Sequence, residues 1–130
     1  LGYKLFHRAQ TMPRRWSKKS SHDKESLKNF RNDPLQPATF SMQWAGAYFR
    51  WYNSIEYLPQ QKLPLLIIQG TEDNVVDWKY NLRWFTQKIH GLEVVKIEGA
   101  RHNLFNESQE YWEPCKNTIQ THIKNLVNQH

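Results

Sequence analysis

The chain has 130 residues, a formal net charge of +6 and one cysteine, Cys115, which excludes an intrachain disulfide. No apolar run approaches the roughly 18 residues that a membrane-spanning helix needs. The histidines are scattered, with no H-E-x-x-H and no cysteine pair, so neither a zinc site nor a cofactor is expected.

The charge is concentrated at the start. Residues 1–31 hold nine of the 18 Lys and Arg against Asp23 and Glu25, leaving the remainder close to neutral. Within this segment, Arg14-Arg15-Trp16-Ser17-Lys18-Lys19 has three readings: a solvated loop, a patch for anionic lipid head groups, or a contact for nucleic acid. Leu1 is not preceded by a charged segment and an apolar one, so no signal peptide is expected within these residues. A lone cysteine with no activating neighbour is a bystander and favours a reducing compartment. The expected location is the cytoplasm, at most peripheral to a membrane.

Ser20 to Asn32 is polar, with Leu27 and Phe30 three apart, and reads as a short helix capped from among Ser20, Ser21 and Asp23. Asp33-Pro34-Leu35 breaks it, because a proline pushes the preceding residue out of the helical region. A second helix is predicted from Thr39 or Ser41 to Tyr57. There Trp44, Tyr48, Trp51 and Ile55 recur at i, i+4, i+7 and i+11, a stripe that suits either ordinary packing or an apolar wall for a ligand. Pro59 is expected to end this helix, and Pro64 to precede a buried strand.

Leu65-Leu66-Ile67-Ile68 is an apolar run without helical period, stopped by Gly70. It reads as a strand buried on both faces that delivers Asp73 just past its end. Trp78 to His90 follows with amphipathic spacing, and Asp77 is placed to cap it. Val94-Val95-Lys96-Ile97 is a second short strand, and the turn at Gly99-Ala100 sets His102 just beyond it. Ser108 to Val127 reads as a final helix, with Pro114 in its first turns.

Strand, helix and strand form one βαβ unit with parallel strands whose C-terminal ends open on one edge. Asp73 and His102 therefore fall on neighbouring loops. An Asp beside a His fixes the imidazole tautomer, as a general base serving a serine requires. Of the competing acids, Glu72 points elsewhere, Asp77 caps a helix, and Glu98 and Glu107 hold the loop of His102 or cap the last helix.

The stretches 63–77 and 98–107 resemble the C-terminal portion of an α/β-hydrolase, nearest to its lysophospholipase and monoacylglycerol lipase branch. The resemblance implies Asp73 as triad acid and His102 as triad base, with the serine on an upstream G-x-S-x-G elbow. No two of the five glycines flank a serine at that spacing. The fold class implied is therefore α/β, the last two parallel strands and flanking helices of the hydrolase core at 63–130, preceded by a helical cap at 1–62. The function implied is a serine carboxylic-ester hydrolase acting on lipid esters such as lysophospholipids or monoacylglycerols. Its partners would be the N-terminal core of the same enzyme and, peripherally, an anionic membrane, and this chain alone would be inactive. A non-catalytic basic module that binds nucleic acid or anionic membrane is the alternative.

Overall fold

The computed structural model describes residues 11–14 and 19–128. Arg15, Trp16, Ser17 and Lys18, central to the basic segment, lie outside the described residues. Two compact units emerge, one holding the described residues 11–14 and 31–59, the other 19–30 and 60–128.

The first unit contains a short antiparallel ladder between β1 (Thr11–Pro13) and β2 (Thr39–Ser41). Three-residue strands carry no readable periodicity, and neither was predicted. Between them the Pro34 turn forms as expected: the Asp33 carboxylate accepts from the Leu35 N–H at 2.8 Å, and the Asp33 carbonyl from the Gln36 N–H at 3.0 Å. Helix α2 (Met42–Ile55) starts where Ser41 accepts the Gln43 N–H at 3.1 Å. It ends four residues before Pro59, in a turn where the Leu58 N–H meets the Ile55 carbonyl. Its aromatic stripe forms a ladder, with Phe40 edge-on to Trp44, Trp44 stacked on Tyr48, and Tyr48 against Trp51 and Tyr52. Trp44 is 62% and Trp51 55% exposed, so these rings pack on each other while keeping much of their surface in water.

α1 (Lys24–Asn32) starts in the second unit, where the Asp23 carboxylate accepts from the Glu25 and Ser26 amides. β3 (Gln61–Gly70) and β4 (Ile89–Ile97) then pair in parallel, from Gln61 opposite Ile89 to Gly70 opposite Ile97. The register slips between Lys62 and Leu65, at Pro64, which has no N–H to give to the ladder. Both strands are longer than their apolar runs. The crossover helix α3 (Trp78–Lys88) ends two residues earlier than predicted, because Ile89 and His90 already belong to β4.

β3 is half-buried rather than buried on both faces. β4 is its one neighbouring strand among the described residues; α3 packs chiefly against β4, and α4 (Gln109–Val127) packs against both β4 and the turn at Leu104–Asn106. The core accordingly sits at the C-terminal end of β4. Ile97, Ala100, Leu104 and Cys115 are buried there, surrounded by Ile68, Val95, Tyr111, Trp112 and Ile119. Burial raises the Cys115 thiol above its ordinary pKa, as suits an inert core sulfur.

Candidate active site

The site is built where the ends of β3 and β4 are fused. Past Gly70, the Thr71 N–H donates to the Ile97 carbonyl at 3.1 Å and the Glu72 N–H to the Ala100 carbonyl at 2.9 Å. The Gly99 N–H returns a bond to the Thr71 hydroxyl at 2.9 Å. Gly99 has φ +75°, in the left-handed region that glycine enters without penalty, and this lets the chain turn back after β4.

Asp73 and His102 meet across this junction, His102 Nδ1 lying 2.9 Å from Asp73 Oδ2. The Asp73 side chain is 3% exposed and that of His102 41%. The carboxylate is held from several sides: Oδ1 accepts the Val75 N–H at 2.8 Å and the Val76 N–H at 3.3 Å, and Oδ2 accepts the Gln69 side-chain amide at 3.2 Å. Burial pushes its pKa up, but the bonds from His102, Val75 and Gln69 outweigh burial and hold Asp73 below the ordinary carboxylate value. Asp73 is thus a fixed anion. With Nδ1 committed to Asp73, the imidazole keeps Nε2 for a hydroxyl, the arrangement that general-base chemistry uses.

The other acids sort as the sequence suggested in two cases. Asp77 caps α3, accepting the Tyr80 N–H at 3.0 Å. Glu107 is buried and holds the His102 loop: Oε1 accepts the Arg101 N–H at 2.8 Å, and Oε2 accepts the His22 N–H at 2.7 Å and the Ser108 N–H at 3.2 Å. No local pattern marks Gln69 behind Asp73, Ser21 and His22 behind Glu107, or Ser20 behind the Asn103 amide. Ser20 and Ser21 read as helix-cap candidates and His22 carries no local signal, because their partners lie more than 80 residues away.

His90 meets the Gln60 side chain at 2.9 Å and His122 meets Glu93 at 2.9 Å, both away from the dyad. A groove lined by Trp78, Lys79, Leu82, Arg83, Val94 and Lys96 contains neither dyad residue, and Lys79 and Lys96 lie over the Trp78 ring. Among the described residues, no three His, Cys, Asp or Glu side chains converge to hold a metal ion, and no helix is long and apolar enough to cross a membrane.

A parallel strand pair joined by a helix, with an Asp-His pair at its C-terminal edge, defines part of an α/β-hydrolase. A family model described as serine aminopeptidase, S33, matches residues 2–109, and the chain belongs to that family. Among curated proteins it is similar to alpha/beta hydrolase domain-containing protein 17C of Xenopus tropicalis, 32% identical over 77 residues that make up 59% of this chain and 25% of that protein. Similarity to the human alpha/beta hydrolase domain-containing protein 17B is also 32%, over 78 residues, 60% of this chain and 27% of that one. The chain therefore spans about a quarter of the length of these relatives. A crystal structure of monoacylglycerol lipase from Paleococcus ferrophilus matches with a TM-score of 0.75 and 18% identity, covering 94% of this chain and 50% of the lipase. That match bears out the α/β-hydrolase fold.

Proposed function

We propose that this chain carries the acid, Asp73, and the base, His102, of a Ser-His-Asp triad, and that the protein cleaves carboxylic esters of lipids of the monoacylglycerol or lysophospholipid type. The observation that carries the proposal is the 2.9 Å contact between His102 Nδ1 and a buried, multiply bonded Asp73. In this reading the serine comes from a G-x-S-x-G elbow upstream of Leu1, which makes residues 1–130 inactive by themselves. His102 takes the serine proton as the hydroxyl attacks the ester carbonyl. It returns that proton to the leaving alcohol, then takes one from the water that attacks the acyl-serine and passes it to the serine oxygen as the acid is released. Asp73 stays ionised throughout and keeps the ring oriented.

The lipid assignment draws on the lipase named among the structural neighbours and on α2. Segment 1–62 is proposed as the cap and 63–130 as hydrolase core. The exposed rings of Trp44, Tyr48 and Trp51 give the cap an apolar face, and covering such a surface with an acyl chain is favourable by about 25 cal/mol per Å².

The test uses the native protein that carries this chain. It is labelled with a fluorophosphonate, weighed intact, and assayed on a monoacylglycerol, a lysophosphatidylcholine and an aminoacyl anilide. One adduct and turnover of the two lipid esters, both lost in His102→Ala, is the expected result. Turnover of the anilide alone would overturn the ester assignment, and full activity in His102→Ala would overturn the triad.

A further inference from the structure

His102 sits between two anchored amides. On one side the Arg101 N–H donates to Glu107 Oε1 at 2.8 Å; on the other the Asn103 N–H donates to the Ser20 carbonyl at 2.8 Å. The anchors share one strap, residues 20–22. Its Ser21 hydroxyl lies 2.7 Å from the Asn106 carbonyl and 3.2 Å from Glu107 Oε2, its His22 N–H and Nδ1 meet the two Glu107 oxygens at 2.7 and 3.1 Å, and its Ser21 carbonyl accepts Arg101 Nη1 at 2.9 Å. Ser21 is 1% and Glu107 6% exposed, and the His22 ring is stacked on Tyr111 at 4.9 Å.

We propose that Glu107 and the Ser20–His22 strap together are the positioning device of the base, fixing the backbone on both sides of His102 so that its ring meets Asp73. This rests on reading His102 as the base. A carboxylate is needed because the group at 107 faces donors almost exclusively: three backbone N–H groups converge on its two oxygens. A glutamine has one acceptor oxygen and would turn its own NH₂ toward at least one of them. The buried N–H left without a partner then costs its full desolvation, and the loop relaxes to find water.

The experiment compares wild type, Glu107→Gln and His22→Ala in the native protein that carries this chain. It measures kcat and KM on a monoacylglycerol and the downfield Nδ1–H proton resonance of His102, assigned by its loss in His102→Ala. Misplacing a catalytic group by about 1 Å costs on the order of 10²-fold in rate, so Glu107→Gln is expected to lose kcat on that scale. KM should move by less than about twofold, since substrate-binding surface is untouched. The Nδ1–H resonance should broaden or vanish in the free enzyme.

His22→Ala removes the Nδ1 contact with Glu107 and the stack on Tyr111 but keeps the His22 amide, so it should shift both readouts in the same direction by less. A Glu107→Gln protein that keeps both the resonance and kcat overturns the proposal, as does a wild type with no such resonance. If Glu107→Gln does not fold, His22→Ala decides by the same two readouts. Failure of the triad reading is recognised separately, because His102→Ala would then remain active while the resonance still reported on the strap.

Discussion

Gly70 and Ala100 pack backbone against backbone: a Cβ built on Gly70 would lie 2.4 Å from the Ala100 carbonyl oxygen and 2.5 Å from that of Arg101. No side chain can turn away from such a contact, because both obstacles are main chain. This is the approach that lets the loop after β3 touch the loop after β4, and so lets Asp73 reach His102. Gly70→Ala is therefore expected to force the loops apart. Overpacking of this kind costs roughly 1–3 kcal/mol. A fall in Tm together with loss of fluorophosphonate labelling in the native protein would bear this out, and a variant with wild-type Tm and labelling would refute it.

The dyad itself predicts a graded pair of effects. Asp73→Asn leaves an oxygen for the Val75 and Val76 amides but can present NH₂ to His102, which favours the wrong tautomer. Substitutions of this type lower kcat by about 10⁴-fold in a serine triad. His102→Ala removes the proposed base and is expected to cost at least as much. Combining the two should add little, since the groups act as a unit. Steady-state kinetics on one ester substrate, with circular dichroism to confirm folding, tests all three variants, and multiplicative losses in the double variant would contradict the dyad.

The dyad was legible in the sequence because its causes are local. An apolar run ended by Gly70 places Asp73, and a β-branched run ended by Gly99 places His102, with Asp77 marking the helix between. The supports were not legible. Ser21 and His22 contact Glu107 across 85 or 86 positions, and Ser20 to Asp23 reads equally well as a simple helix start. Similarly, the polar ends of β3 and β4 join the ladder through backbone bonds, which no side-chain pattern reports. The full burial expected for β3 failed because a continuous apolar run states what a strand can cover, not which neighbours cover it.

The two buried carboxylates make acid sensitivity predictable. Burial raises the pKa of both Asp73 and Glu107, yet hydrogen bonds received by each hold the folded-state value below the ordinary one. A carboxylate depressed on folding contributes stability that is fully present above its unfolded pKa, about 4 for these groups, and is lost as pH falls through the folded value. The native protein should thus lose Tm steeply below about pH 4. The slope should be shallower in Glu107→Gln, which has no carboxylate to protonate at that position. Thermal melts from pH 7 to pH 2.5 test this, and identical slopes in the two proteins would remove Glu107 from the account.

Substitutions in the aromatic ladder of α2 test the proposed acyl contact separately from stability. Trp44 and Trp51 are more than half exposed, so truncating either forfeits little burial and should change stability by less than about 1 kcal/mol. If these rings contact an acyl chain, their removal uncovers apolar area that the substrate would otherwise bury, at about 25 cal/mol per Å². The loss should then grow with chain length. A Trp44→Ala, Trp51→Ala double variant of the native protein is expected to keep its Tm and its kcat/KM on an acetyl ester, while losing about tenfold on a long-chain monoacylglycerol, a factor equal to 1.4 kcal/mol. Equal losses on short and long esters would mean that the ladder acts through the structure rather than through the acyl chain. Unchanged kinetics on both would remove α2 from substrate recognition while leaving Asp73 and His102 in place.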